Sequence, residues 1–251
     1  MEVVPQLLAL KIELTARDTD RAVERGDLII VIDVLRSGTS VINALANGVK
    51  AIIPTKTLKE AYKLKRQHPY YLLAGERRGN KPKGFNFGNS PLEFTSEKVH
   101  GKNVILTTTS GTMALTRSRN AKLVFVGTFL NAGAMAKKAV ETAEKKHLNV
   151  SFVLAGDKGQ FSFEDFICAG AMAERFNKGE VYFSDKARAA LLAFKQTKNN
   201  LCKNIMEAEH AKHLIQLGFR RDIEFACQLD IYKIIPIYRD GKITSLDPNS
   251  A

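Results

Sequence analysis

Polar residues that could do chemistry follow a short apolar run near the start of the chain. Residues 28–32 are all apolar, Asp33 follows them directly, and Arg36 comes three residues later. A carboxylate at the end of a buried strand must be paired or bind a metal ion. Asp33 is therefore a candidate metal ligand or phosphoryl acceptor, with a turn or helix-capping aspartate as the structural alternative.

Two segments rich in hydroxyl groups are candidates for phosphate binding. One follows Arg36 and the other spans residues 107–112, where a glycine lets the backbone approach a ligand. Free N–H groups at the start of a helix bind phosphate favourably, although helix capping alone would need only one of these hydroxyls. Neither segment has the GxxxxGK[ST] spacing of a P-loop. The candidate residues are Ser37, Gly38, Thr39, Thr108, Thr109, Ser110, Gly111 and Thr112.

Two further acidic clusters carry less specific signals. Glu76 precedes two arginines, the first of which is Arg77. Arginine side chains match phosphate and sulfonate oxygens, but a surface salt-bridge cluster has the same composition. Glu164 and Asp165 have a structural alternative too, since Ser162 and Asp165 form a pattern typical of a helix start.

The histidines of the C-terminal third receive no functional role at this stage. His210 and His213 share one predicted helical face with Glu207. Such a face is more often solvated than metal-binding, so we discount these residues. The three cysteines are widely spaced and form no CxxC motif, and buried packing is their expected role.

The elements that must position these residues form an alternating pattern. Strands are predicted at residues 28–34, 51–53, 70–74, 103–107, 123–127 and 150–155, with Pro54 ending the second. Helices are predicted at residues 40–47, after a capping box of Thr57 and Glu60, at 131–146 and at 162–176. This alternation predicts an α/β fold with a largely parallel sheet flanked by helices. The polar clusters follow the carboxyl ends of the strands, where such sheets bind ligands.

The pattern changes beyond residue 178. Helices are predicted at residues 185–195 and 204–217, and a late strand at 231–237. We predict a main α/β domain at residues 1–178 that carries the site motifs. Residues 179–251 are predicted as a smaller C-terminal α/β lobe, or as the far edge of the same sheet.

Composition restricts the class of protein. The 251 residues are 45% apolar and 25% charged, which is ordinary for a globular chain. The sequence has no apolar run of membrane-spanning length and no secretory signal pattern, and its cysteine usage fits the cytoplasm. The net charge of +12 fits an anionic substrate, a nucleic acid or a solvated lysine-rich surface. The usual nucleic-acid-binding modules are not found in the sequence.

The motifs together resemble those of the 2-phosphosulfolactate phosphatase family of coenzyme M biosynthesis. The resemblance covers residues 28–177. It is carried by residues 31–40 (VIDVLRSGTS), 44–48 (ALANG), 75–77 (GER), 84–93 (GFNFGNSPLE), 107–112 (TTTSGT), 129–131 (FLN), 163–165 (FED) and 168–171 (CAGA).

The resemblance implies magnesium-dependent hydrolysis of 2-phospho-3-sulfolactate, a small anionic phosphate ester, to 3-sulfolactate and phosphate. It implies that Asp33 and Glu76 hold Mg²⁺, assisted by Glu164 or Asp165. The residues expected to bind substrate are Arg36, Arg77, Asn86, Asn89, Asn131 and the two hydroxyl-rich segments. The residues expected to be catalytic are Asp33, Arg36, Glu76 and Asp165.

Several alternatives remain open from the sequence. The attacking group is either water activated by the metal ion or the Asp33 carboxylate, which would form an aspartyl-phosphate. The substrate is either 2-phospho-3-sulfolactate or another phosphorylated hydroxy acid. A non-catalytic nucleic-acid-binding protein is the rival class, and no membrane partner is expected. A homo-oligomer is compatible with the sequence.

Overall fold

The central strand of the fold is buried on both faces. Its five residues, Leu28–Ile32, alternate between two hydrophobic cores. Leu28, Ile30 and Ile32 belong to one core, and Ile29 and Val31 to the other. A strand with this pattern must be covered by helices on both sides, and the helices of this chain provide that cover.

The computed structural model describes residues 7–176 and 181–246. The described strands are β1 (Leu8–Glu13), β2 (Leu28–Ile32), β3 (Ala51–Thr55), β4 (Leu72–Gly75), β5 (Asn103–Thr107), β6 (Val124–Gly127), β7 (Val150–Leu154), β8 (Val181–Phe183), β9 (Pro236–Arg239) and β10 (Lys242–Ser245). The described α-helices are α1 (Thr19–Glu24), α2 (Ser37–Ala46), α3 (Leu58–Gln67), α4 (Ser96–Val99), α5 (Gly111–Arg117), α6 (Ala132–Lys146), α7 (Phe163–Phe176), α8 (Asp185–Thr197), α9 (Leu201–Met206), α10 (Glu209–Gln216) and α11 (Arg220–Ala226).

All ten strands form one mixed sheet in the order β4-β5-β3-β10-β9-β6-β2-β7-β1-β8. The pairs β3–β5, β4–β5, β2–β6, β2–β7, β1–β7 and β1–β8 are parallel. The α/β fold with a largely parallel sheet, predicted from the sequence, is therefore confirmed.

Within the described ranges, the strands of the C-terminal segment belong to this sheet and do not form a separate one. Strands β9 and β10 form an antiparallel hairpin between β3 and β6, and β8 lies at the edge. The hairpin meets β3 only at Ile52 and meets β6 at Val124 and Phe125. These residues are close to the starts of β3 and β6. The hairpin therefore joins the two halves of the sheet near the amino ends of the parallel strands, away from their carboxyl ends.

Three sequence predictions need correction. The late strand predicted at residues 231–237 begins only at Pro236 and runs to Arg239. Pro54 does not end β3, which continues to Thr55. Because β10 pairs with β3 only at Ile52, Pro54 lies beyond that pairing, where its missing N–H is tolerated. The helix predicted at residues 204–217 is two helices, α9 and α10. Thr57 is confirmed as the helix cap, since its hydroxyl accepts the Glu60 N–H, but the box is not closed on Thr57, because the Glu60 carboxylate accepts the Lys56 N–H instead.

No helix within residues 7–176 and 181–246 is both long and apolar enough to cross a membrane.

Candidate active site

A cavity of about 410 Å³ lies beyond the carboxyl ends of β2, β4, β5 and β7. Residues that follow each of these strands line it, so loops distant in sequence meet at one place, as the sequence predicts. Helix α10 lines the cavity as well. The predicted site residues that line it are Asp33, Arg36, Ser37, Glu76, Asn89, Thr108, Thr109 and Ser110.

Asp33 lies directly after β2 and is only 6% exposed. One of its carboxylate oxygens, Oδ1, accepts the Ser37 N–H at 3.0 Å. Burial raises the pKa of Asp33 to about 7; His210 and the Ser37 N–H oppose this shift, and the neighbouring carboxylates of Glu164 and Glu76 add to it. Asp33 is thus a buried acid without a dedicated cationic partner in direct contact among the described residues.

Glu76 lies after β4 and is held by three donors. Its Oε1 accepts the Thr109 N–H and hydroxyl, both at 2.9 Å, and its Oε2 accepts the Gly79 N–H at 2.8 Å. These bonds fix the carboxylate against the loop that follows β5. The same loop approaches Ser37, because the Thr108 hydroxyl lies 3.5 Å from the Ser37 hydroxyl. The two hydroxyl-rich segments therefore form one wall.

Arg36 is the buried cation of the cavity. Its guanidinium donates to Asp222 Oδ2 at 2.8 Å and to the Gly79 carbonyl at 3.2 Å, and it lies 3.9 Å above the Phe219 ring. The other oxygen of Asp222 accepts the Ser90 hydroxyl at 2.7 Å. Helix α11 thus holds Arg36 in one orientation toward the cavity.

His210 lies in the cavity wall and not on the fully solvated face predicted from the sequence. Its Nδ1 lies 2.8 Å from Oε1 of the buried Glu164 carboxylate. Burial lowers the pKa of His210, but the carboxylates of Glu164, Asp157 and Asp33 outweigh it and raise the pKa above its usual value. His213, one turn along α10, also lines the cavity, whereas Glu207 does not.

The Asp165 carboxylate connects the ends of two neighbouring strands. It accepts the Val34 N–H at 2.8 Å and the Gly156 N–H at 3.1 Å, which ties the end of β2 to the end of β7. Burial raises its pKa well above the usual range, and Glu164 and Asp33 add to the shift. Asp165 does not line the cavity, so its contacts are those of a structural residue.

Other predicted site residues also lie outside the cavity lining. The Arg77 guanidinium donates to Thr107 Oγ1 at 2.7 Å and to the Lys56 and Glu76 carbonyls, which directs it across the ends of β3, β4 and β5. Asn86 accepts the Leu73 N–H, and Asn131 caps a short helix and donates to the Ile234 carbonyl. The hydroxyls of Thr39 and Thr112 donate to the carbonyls of Val34 and Thr108, respectively.

Glycine is required at two positions for close packing. A Cβ at Gly38 would lie 2.5 Å from the Asp33 carbonyl oxygen, so this residue packs against the loop and does not line the cavity. A Cβ at Gly111 would lie 2.3 Å from Asp33 Oδ2 and 2.8 Å from Ser37 Oγ. Gly111 therefore lets α5 approach the catalytic candidate Asp33.

Replacing Gly111 by alanine is expected to lower activity while preserving the fold. The added methyl group must displace Asp33 or Ser37, and a shift of about 1 Å at a reacting group costs roughly 100-fold in rate. Alanine is also a better helix former than glycine, so the melting temperature should change little. The matched control is Met113→Ala on the exposed side of the same helix. Unchanged turnover in Gly111→Ala would contradict the close approach.

Comparison with known proteins gives the family. A sequence profile described as 2-phosphosulpholactate phosphatase matches residues 14–241. The chain belongs to the 2-phosphosulfolactate phosphatase family. It is 41% identical over 212 residues to a protein of Thermotoga maritima named "Probable 2-phosphosulfolactate phosphatase", covering 84% of this chain and 89% of that protein. A Clostridium beijerinckii protein of the same name is 37% identical over 242 residues, covering 94% of this chain and 99% of that protein.

Membership of the 2-phosphosulfolactate phosphatase family places the chain among phosphoric monoester hydrolases. The cavity suits such chemistry, because it joins buried carboxylates, a pinned arginine and several hydroxyl and N–H groups. Phosphoryl transfer needs mainly positioning and charge neutralisation.

The carboxylates fit an ion that takes few protein ligands. Within residues 7–176 and 181–246, no group of three or more His, Cys, Asp or Glu side chains is arranged to hold a metal ion. Mg²⁺, however, is usually bound by one or two carboxylates together with water and substrate phosphate. Asp33 and Glu76 line the cavity and repel one another. A divalent cation between them would relieve the repulsion.

Glu164 fits such an ion less well than Asp33 and Glu76. It lies behind His210 rather than in the lining of this cavity, and its second oxygen, Oε2, is buried without a hydrogen-bond partner among the described residues. Its predicted role as a ligand stays a prediction. Its contacts are those of a residue that orients His210.

Some cavity residues of this family member were given no role from the sequence. They are Gly79, Asp157, Lys158, His210 and His213. Their signals were present, since Asp157 and Lys158 follow a strand and the two histidines are three residues apart. A single helical spacing does not reveal that α10 packs over the ends of the sheet.

Proposed function

We propose that the protein is a Mg²⁺-dependent phosphatase that hydrolyses 2-phospho-3-sulfolactate to 3-sulfolactate and phosphate, in the cytoplasm, as a step of coenzyme M biosynthesis. The observation that carries the proposal is the cavity itself. It places the two carboxylates Asp33 and Glu76 beside the buried cation Arg36 and the loop that follows β5. Family membership supports the same substrate.

Each group has a defined part in this proposal. Asp33 and Glu76 would hold Mg²⁺, which when bound neutralises phosphate charge during transfer. Arg36 orients the phosphate, since Asp222 and Phe219 fix its guanidinium. The hydroxyl groups of Ser37, Thr108 and Ser110 contact the remaining phosphate oxygens.

The His210 side chain has a position that fits proton transfer. Glu164 orients the ring through Nδ1, and the imidazole faces the cavity. When the P–O bond breaks, the oxygen that leaves with the sulfolactate needs a proton, and His210 is placed to supply it. The orientation by a buried carboxylate is the arrangement expected of such a group.

The test is phosphate release from a panel of phosphorylated acids by purified protein. Release from 2-phospho-3-sulfolactate is expected to fall at least 100-fold with EDTA and to return with Mg²⁺. Mg²⁺ is also expected to raise the melting temperature in the absence of substrate, by linkage to the folded state. Absence of release from every ester of the panel with Mg²⁺ present would refute the proposal, and preference for another phosphorylated hydroxy acid would change the substrate.

A further inference from the structure

Two turns of the same type stand at the mouth of the cavity. After β4, the N–H groups of Arg77 and Asn80 bond each other's carbonyls at 2.9 and 3.2 Å. After β7, Asp157 and Gln160 make the same pair of bonds at 3.1 and 2.8 Å. Each pair encloses two residues that end in glycine, so the turns match in length and hydrogen bonding.

The central residues of both turns have left-handed backbone. Arg78 and Gly79 have φ of 53° and 83°, and Lys158 and Gly159 have φ of 49° and 79°. Positive φ at both central residues is the signature of a type I′ turn, whose first central position favours Asn, Asp or Gly. A long cationic side chain at this position is unusual, and it occurs in both turns.

A third turn in the same protein provides the contrast. The β9–β10 hairpin has φ of 52° and 76° at Asp240 and Gly241, which is the common residue pair for this geometry. The turn of this hairpin lies at the amino ends of the neighbouring parallel strands, opposite the cavity. Basic residues at the first central position are thus found in the two turns that line the cavity, and not in this distant one.

The strands that carry the two basic turns are far apart in the sheet order. β4 is the first strand of the sheet and β7 is the eighth, yet Arg78 and Lys158 line the same cavity. Within residues 7–176 and 181–246, Arg78 makes no salt bridge, and the nearest acidic oxygen to Lys158 Nζ is Asp157 Oδ2 at 3.8 Å. The Lys158 side chain is 66% exposed, and Arg78 is exposed as well.

The contrast with Arg36 separates two kinds of cation. Arg36 is buried and pinned by Asp222 and Phe219, as expected of a group that positions the phosphate. Arg78 and Lys158 are exposed and lack strong partners, so they suit groups that extend from the phosphate toward solvent. A guanidinium matches carboxylate or sulfonate oxygens with paired hydrogen bonds, and an ammonium supplies a point charge.

We propose that Arg78 and Lys158 determine specificity, by binding the two acid groups that the substrate carries besides its phosphate. The proposal rests on the proposed function for the identity of the substrate. It assigns the selection of a multiply charged ester to the two turns, and the transfer of the phosphoryl group to the interior of the cavity.

The test measures binding and turnover in Arg78→Asn, Lys158→Asn and the double variant. Asparagine tolerates the left-handed backbone, so the turns are preserved. Calorimetry uses two probes in the presence of Mg²⁺: 3-sulfolactate, which has both acid groups and no phosphate, and inorganic phosphate. For 3-sulfolactate we expect the Kd to rise roughly fivefold in each single variant and roughly 10- to 100-fold in the double variant, because partly exposed charge pairs are individually weak. The Kd for phosphate should stay within about twofold of wild type, because salt screens the effect of these exposed charges on a group bound elsewhere in the cavity.

Turnover gives a second measurement. The double variant should lose kcat/KM for 2-phospho-3-sulfolactate through KM, while kcat/KM for ethyl phosphate, which lacks both acid groups, should be retained. Lys242→Asn, which removes the same charge next to the turn of the β9–β10 hairpin, is the matched control and should behave as wild type.

The outcomes separate the two proposals. If wild type binds 3-sulfolactate in a manner that depends on Arg78 and Lys158 but cleaves no ester, the phosphatase proposal fails and this inference stands. If the variants weaken phosphate as much as 3-sulfolactate, or leave both unchanged, the inference is overturned. Wild type that binds no 3-sulfolactate also overturns it.

Discussion

Replacing Asp33 by asparagine is expected to abolish phosphate release and, without metal at pH 8, to stabilise the protein. Asparagine keeps the shape of the side chain and the oxygen that accepts the Ser37 N–H, so the loop after β2 should be retained. It cannot carry the charge needed to hold Mg²⁺ or to attack phosphorus. We expect turnover to fall at least about 1,000-fold, as for loss of a nucleophile or metal ligand.

The pH dependence of the stability gain follows from the pKa of Asp33. Burial, with Glu164 and Glu76 as further contributions, raises this pKa from 3.8 to about 7. Between about pH 4 and pH 7 the folded chain therefore keeps a proton that the unfolded chain has lost, and stability falls as pH rises through this window. Above pH 7 the ionised carboxylate costs on the order of 4 kcal/mol. Asparagine avoids this cost, so the gain should be present at pH 8 and absent below pH 4.

Urea denaturation at pH 4, 6 and 8 in EDTA measures this effect, beside a phosphate-release assay with Mg²⁺. Asp240→Asn is the control, since it makes the same chemical change at an exposed turn far from the cavity. A variant that keeps wild-type turnover would remove Asp33 from the catalytic machinery. A variant that is less stable at pH 8 would contradict the cost of the buried charge.

Removal of the Asp222 carboxylate is expected to cause a large loss of both stability and activity. Asp222 and Arg36 are both buried, and Asp222 also accepts the Ser90 hydroxyl. Truncating one partner of a buried ion pair leaves an uncompensated charge and typically costs about 3–5 kcal/mol. Asp222→Leu should therefore lower the free energy of unfolding by that amount and release Arg36 from its fixed position, so that kcat falls as well.

A double variant distinguishes stability from catalysis. Replacing a buried ion pair by apolar residues of similar size is often neutral or stabilising. Arg36→Met combined with Asp222→Leu should therefore recover most of the lost stability in a double-mutant cycle, yet remain inactive because the phosphate has lost its cation. If the double variant regained activity together with stability, Arg36 would have no part in transfer.

The parts of the site that the sequence predicts are those adjacent to strand ends. Asp33, Glu76 and the loop after β5 follow apolar runs, and parallel strands bring such positions to one edge of a sheet. Asp222 and His210 were not predicted, because they lie on helices of the C-terminal third. Their location depends on how α10 and α11 pack over the cavity, and local sequence does not encode that packing.

The two adjacent arginines illustrate a second limit. The sequence marks Arg77 and Arg78 equally as anion-binding candidates. The type I′ turn directs Arg78 to the cavity and Arg77 toward Thr107 and Lys56. Turn geometry therefore decides which side chain is available, and the glycine at residue 79 was the local signal for it.

The fold shows the same division between local and long-range information. Alternating strands and helices predicted the parallel part of the sheet, because each βαβ unit is formed by neighbouring residues. The insertion of β9 and β10 between β3 and β6 was not predicted. The Asp240–Gly241 pair is a recognised hairpin signal, but it does not identify the partners of the hairpin.

The central position of this hairpin has a consequence for the order in which the molecule is built during translation. One half-sheet, β4-β5-β3, and the other, which contains β6, β2 and β7, are both synthesised before residue 236 leaves the ribosome. Asp33 belongs to one half and Glu76 to the other. The nascent chain therefore has two open sheet edges, at β3 and β6, until its final strands pair with both of them.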